Sequence, residues 1–217
     1  MESSNSAPLT QTLIKVGGLC AVVSGLLVAF SYLLHPATVS PAEVGNTRWI
    51  MVHGGFFIAL NTGFLALVAL LARYLDQRGA SPWGVVGFAL ATVSLIFLSG
   101  LNYTELFVLP LIAKTTPATI AQHAVAEMIP SSPIALPIVG ALFVTGFVLL
   151  GTGLIRTRAV PTSSAGVTML GSVAFAIGMS DLVPLAVLRI GACVFGAGIL
   201  LLGLALLSPP SKQDAHI

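Results

Sequence analysis

The stretch "SPWGVVGFALATVSLIFLSGLNYTELFVLPLIAK", residues 81–114, decides the fold class. Glu105 is its only charge between Arg78 and Lys114, and almost everything around it is Leu, Val, Ile or Phe. A run of about 20 apolar residues is long enough to cross a bilayer as a helix, and this one is longer. Pro82 suits a first helical turn. The excess length predicts a tilted helix, a kink at Pro110, or a projecting end.

The rest of the chain repeats the pattern. Of 217 residues, 56% are hydrophobic and 7% charged, with a mean hydropathy of +1.02. A soluble domain carries about 25% charged residues, so lipid must be the solvent for most of this surface. Six apolar segments are expected, at 12–34, 49–73, 83–112, 134–155, 165–183 and 187–208. The fifth is rich in Gly and Ser. The fold class is therefore all-α, a polytopic membrane helix bundle. It forms one transmembrane domain over 12–208, between polar tails at 1–11 and 209–217. The first segment is too long for a signal-peptide core, has no basic residue before Lys15 and is followed by no clear cleavage signal. It reads as a retained helix.

Basic residues set the expected orientation. With the N-terminus inside, Lys15, Arg73, Arg78, Arg156, Arg158 and Lys212 lie inside, and Arg48, Lys114 and Arg189 lie outside. Six against three places both termini in the cytoplasm. Trp49 and Trp83 fall at opposite interfaces, as anchoring aromatics do. The long loops, 35–48 and 114–133, are both external. The centre of the second, "PATIAQHAVAEMI", reads as a short surface helix with Ile120, Val125 and Ile129 as its apolar contacts.

Small residues mark where helices should touch. Gly55, Ala59 and Gly63 form a stripe on the second segment, and Ala192 and Gly196 repeat the spacing on the sixth. Such stripes let backbones approach closely in lipid.

The ionisable residues inside the segments are the functional candidates, because a charge at the bilayer centre costs at least about 2.5–3.5 kcal/mol. Only Glu105 and Asp181 are acids within segments. The topology brings Glu105, Asp181, His53 and Arg189 to one depth near the outer face. Glu105, Asp181 and His53 are the catalytic candidates. Asn102, Tyr103, Asn61 and Arg189 are the ligand-binding candidates. Asn102 and Glu105 are three apart and share a helix face. His53 and Asn61 are eight apart, about 80° around the helix, on a side away from the small stripe. Pro184 breaks the fifth segment soon after Asp181.

Other chemistry is not signalled. Cys20 and Cys193 are isolated and read as buried inert thiols. His35, Glu43, His123 and Glu127 lie in the outer loops without metal-ligand spacing. There is no GxGxxG, P-loop, GxSxG or CxxCH, no facing His pair for haem, and no basic aromatic patch for nucleic acid. Neither a cofactor nor a metal is expected. The expected partners are membrane lipid and a lipid-like substrate, not nucleic acid.

"LLHP" at 33–36, "VGFALATVSLIFLSGLNYTELFVLPLIA" at 86–113 and "LRIGACVFGAGILLLGLALL" at 188–207 resemble a broad group of small polytopic bacterial membrane proteins of uncharacterised function, over residues 30–208. A Glu before "FVLP" in the third helix is familiar in that group and matches Glu105. The resemblance implies a helical membrane bundle and no established activity. In size and in its few intramembrane carboxylates, the chain also looks like the integral-membrane terpene cyclases of meroterpenoid pathways, with Glu105 and Asp181 as candidate acids.

Three functions fit the sequence. The first is an acid-initiated cyclase or isomerase acting on a lipid-like substrate. The second is a proton-coupled transporter. The third is a non-catalytic membrane subunit or lipid-binding protein.

Overall fold

The computed structural model describes residues 6–37, 39–122, 132–180 and 182–208, and these are helical throughout apart from short turns. In chain order the helices are α1 (Ser6–Leu33), α2 (Pro41–Val44), α3 (Thr47–Leu75), α4 (Pro82–Tyr103), a π-helical turn (Thr104–Val108), α5 (Leu109–Thr115), α6 (Pro117–Gln122), α7 (Ser132–Arg156), α8 (Thr162–Gly178) and α9 (Leu185–Leu207). Five of the resulting rods are long and apolar enough to cross a membrane: Leu9–Leu33, Thr47–Leu75, Pro82–Thr115, Ile134–Arg156 and Leu185–Leu207. The protein is an all-α, multi-pass membrane bundle.

One expected segment is shorter than read. The fifth, expected at 165–183, is the 17-residue helix Thr162–Gly178. At 1.5 Å per residue it spans about 26 Å, one turn short of a hydrocarbon core of about 30 Å.

The six long helices close into a ring. α1 packs against α3 and α9, α3 against α4, α4 against α7, α7 against α8, and α8 against α9. Each neighbour runs antiparallel, because paired positions rise on one helix and fall on the other. Gly18 faces Gly203 while Gly25 faces Gly196, and Gly171 faces Phe195 while Gly178 faces Leu188. The expected stripe on α3 is one of these seams. A Cβ at Gly55 would stand 2.9 Å from the Ser31 hydroxyl, and one at Gly63 would stand 3.0 Å from that of Ser24. Ser24 Oγ donates to the Ala59 carbonyl at 2.8 Å.

The middle of the ring is filled. Phe143, Phe147, Phe175 and Phe195 interlock with centroid separations of 4.8–5.9 Å. The void beside them is only about 30 Å³, far too small for a solute. The outside of the ring carries exposed Leu19, Ile58, Ile96 and Ile190, which suits a lipid-facing surface.

One end of the ring is capped by the loop helices. Ser40 accepts from the Glu43 amide at 3.2 Å and Pro41 opens α2. Asn46 accepts from the Trp49 amide at 2.9 Å and starts α3. Val44, Trp49, Leu109 and Ile120 form a small apolar cluster there. Ile120 thus makes the contact expected of it. Val125 and Ile129 lie outside the described residues.

Candidate functional site

The functional end is built around a helix irregularity. Leu109 N–H donates to the Thr104 carbonyl, an i to i−5 bond that widens the helix into a π turn. In that register the next donor would be residue 110, reaching the Glu105 carbonyl. Residue 110 is proline and has no N–H. The orphaned carbonyl is taken instead by the indole of Trp49, with Nε1 donating to Glu105 O at 2.7 Å. Pro110 therefore frees the acceptor that ties α3 to the end of α4. The long rod adapts at its proline through a widened turn and continues to Thr115.

One turn along α3, His53 lies parallel to the Trp49 ring, with centroids 4.0 Å apart. Its Nδ1 is 2.9 Å from the Trp49 carbonyl. A carbonyl only accepts, so Nδ1 carries the hydrogen. Nε2 of the neutral ring is then a bare acceptor, and it faces Glu105 Oε2 at 3.6 Å. His53 is buried and the Glu105 side chain is a quarter exposed. The pair shares one transferable proton: a carboxylic acid against imidazole, or a carboxylate against imidazolium.

Asn102 completes the inner wall. It is 1% exposed, and its side chain is turned to the Glu105 carboxyl as its polar partner, without the close geometry of a full hydrogen bond. His53 Nε2 is likewise buried without a hydrogen-bond partner. Buried polar atoms left unpaired cost about 1–3 kcal/mol each. Both groups, the Asn102 amide and the His53 ring, are turned to the Glu105 carboxyl, which gathers the buried polar atoms of two helices at one place.

His35 and Tyr32 extend the cluster along α1. His35 Nδ1 donates to the Pro36 carbonyl at 2.9 Å. Its ring meets His53 edge-on at 5.3 Å and stacks on Tyr32 at 5.9 Å. Burial pushes the His35 imidazole below its ordinary range. Arg189 and Arg48 push in the same direction, and the bond to Pro36 opposes them. Tyr32 Oη donates to Met179 Sδ at 3.5 Å.

Met179 lines a cleft of about 880 Å³ between α7 and α8, at the same end of the ring. Its walls are apolar apart from Ser180, and include Pro137, Phe143 and Phe175. Gly140 leaves open space where a side chain would stand. Leu98 of α4 also lines the cleft, one turn before Asn102. Cleft and polar cluster thus adjoin at two places, where Leu98 precedes Asn102 by one turn and where Met179 accepts from Tyr32. Ligand sites commonly join an apolar pocket of 300–1,000 Å³ to a few polar groups.

The sequence candidates divide as follows. Glu105, His53 and Asn102 come together. Asn61 does not: it is exposed, and its Nδ2 donates to its own helix at Phe57 O, 2.7 Å. Its 80° offset from His53 carries it off the inner face. Tyr103 is 53% exposed, with its ring against Phe107 at 4.9 Å, outside the cluster. Arg189 reaches the cluster's edge, with Nη2 donating to the His35 carbonyl at 2.8 Å. Asp181 lies outside the described residues, as do His123 and Glu127. Glu43 accepts from Asn46 Nδ2 at 3.0 Å, and among the described residues no group of three potential ligands could hold a metal. Sequence reasoning left His35 in a loop and gave Tyr32 no role. The four-residue spacing of Trp49 and His53 was the signal available for their pairing.

No protein-family model matches the chain, no curated protein matches it, and no solved structure matches it.

Proposed function

We propose that the protein binds a lipid-like or small apolar ligand at the end of the ring assigned to the outside, and that Glu105 and His53 carry out acid-initiated isomerisation or cyclisation on it. The observation that carries this reading is the convergence of buried polar groups, from Asn102 and His53, on the Glu105 carboxyl beside an apolar cleft. The ligand's apolar body occupies the cleft and its reacting group lies against Glu105, His53 and Asn102.

The chemistry needs no cofactor. The protonated Glu105 carboxyl gives its proton to an alkene or epoxide of the ligand. The bare Nε2 of His53 removes a proton from a carbon beside the resulting cation. One proton enters and one leaves, so the product is an isomer of the substrate. The apolar surroundings exclude water that would otherwise trap the cation.

Transport is less well supported. The interlocked Phe rings below the cluster fill the path a solute would take across the ring. The six crossings follow from the apolar segments, and the orientation with both termini cytoplasmic and the site outward rests on the basic residues.

Mass spectrometry of apolar compounds retained by the purified protein tests the reading. Wild type should retain one species beyond bulk lipid, and Glu105→Gln should retain an isomer of equal mass. The same species in both would leave a binding protein without catalysis. No retained species in either would end the proposal.

A further inference from the structure

Two guanidinium groups from different helices close on neighbouring backbone carbonyls at the rim of the cluster. Arg48 of α3 donates through Nε to the Leu34 carbonyl at 2.8 Å. Arg189 of α9 donates through Nη2 to the His35 carbonyl at 2.8 Å. Both positive charges act on the His35 ring, so a negative group at this rim would be attracted by both. Among the described residues, the only acid–base pair within 4.0 Å is His53–Glu105, so neither arginine has a carboxylate there. Arg189 Nε is in addition buried with no hydrogen-bond partner. Each guanidinium carries five N–H donors in a planar fork that fits the oxygens of a carboxylate or phosphate.

We propose that Arg48 and Arg189 form the receptor for an oxyanion at the head of the ligand, so that the ligand is an anionic amphiphile of the alkyl or isoprenoid phosphate kind. The proposal rests on the ligand reading above and narrows it. The geometry gives the chain a continuous course. From Arg189 the wall passes through His35 to Tyr32, then to Met179 and the apolar cleft. A headgroup at the arginines places the first part of its chain beside His35, near His53 and Glu105. The remainder lies between α7 and α8. An amphiphile in the outer leaflet already has this arrangement, head at the surface and chain in the hydrocarbon. Arg48 is exposed, Arg189 half-buried, and the cleft lies at the same end of the ring.

The test uses the full chain in nanodiscs of phosphatidylcholine, with Trp83→Phe as background so that Trp49 reports binding. Three probes are titrated: dodecyl phosphate, dodecanol and inorganic phosphate. Dodecyl phosphate should bind more tightly than dodecanol, and inorganic phosphate should bind far more weakly than either. Arg48→Gln and Arg189→Gln should each weaken dodecyl phosphate by about tenfold or more, the scale of a lost charge-assisted bond, and leave dodecanol unchanged. The dodecanol titration shows that each variant is folded. Arg189→Lys, which keeps the charge and loses the fork, should fall between.

Equal binding of dodecyl phosphate and dodecanol, with no effect of either arginine variant, would overturn the headgroup assignment and leave the ligand reading standing. Inorganic phosphate binding as tightly as dodecyl phosphate would overturn the amphiphile and leave a free-anion site. Binding of dodecyl phosphate that emerges only in Asp181→Asn would mean that the chain's own acid fills the site. Failure of both amphiphiles in every variant would instead defeat the ligand reading itself.

Discussion

Trp49 and Glu105 are joined through the one carbonyl that Pro110 leaves without a donor, at 2.7 Å from indole nitrogen to oxygen. The contact fixes where the Glu105 backbone sits relative to His53, which lies one turn along α3 from Trp49. Trp49→Phe should keep the ring and leave that carbonyl orphaned, at a cost of about 1–3 kcal/mol. Pro110→Ala restores a main-chain donor for the same acceptor. The double variant should therefore be less destabilised than the sum of the singles. A double-mutant cycle by chemical unfolding in detergent measures the coupling, and additivity would count against this bond.

Asn102 opposes stability and function. Its amide is buried, and neither of its polar atoms makes a well-formed hydrogen bond. Asn102→Leu removes both polar atoms and keeps the branched heavy-atom outline. It should raise stability by about 1–3 kcal/mol and abolish retention of the ligand. Thermal unfolding and lipid mass spectrometry on the same sample check both halves. Loss of stability would mean that the amide is satisfied within the chain.

The glycine seams separate tight from open contacts. A Cβ at Gly25 would collide with the Gly196 carbonyl, whereas one at Gly166 meets nothing within 4 Å. Gly25→Ala should cost at least about 1–3 kcal/mol through displaced backbone. Gly166→Ala should gain about 0.5–1 kcal/mol from helix propensity. Opposite signs in unfolding midpoints are expected from the same chemical change.

Burial and two guanidiniums hold His35 below its ordinary value of about 6.5. The unfolded chain therefore binds more protons at this position than the folded one as pH falls through that value. Stability contributed here is present above about pH 6.5 and is lost on acidification. The unfolding midpoint should drop below pH 6.5. The drop should be smaller in His35→Gln, because that variant does not titrate. Parallel pH profiles for the two proteins would contradict the assignment.

The bundle was legible because apolar length alone specifies a spanning helix, and the small stripes on α3 and α9 specify where helices meet. The Glu105–His53 pairing was legible only as a shared depth. Depth follows from topology, but facing depends on rotation. Rotation failed for Asn61, whose 80° offset was enough to turn it outward, and the exposed Tyr103 likewise falls outside the cluster. The π turn was not foreseen, because Pro110 signals an irregular helix without saying which kind. The arginine pair was hidden for another reason. Arg48 and Arg189 are tied to the carbonyls of residues 34 and 35, which no sequence pattern records. The fifth segment was overextended because its apolar run continues past Gly178, where the helix stops.

The central claim is that the α7–α8 cleft and the Glu105–His53–Asn102 cluster form one ligand site. Photolabelling with a dodecyl phosphate carrying a terminal diazirine, followed by peptide mapping, tests it most directly. The account predicts labels concentrated within 136–144 and 173–183, and lost in Arg189→Gln. Labels spread evenly over lipid-facing residues such as Leu19, Ile96 and Ile190, and unchanged in that variant, would contradict it.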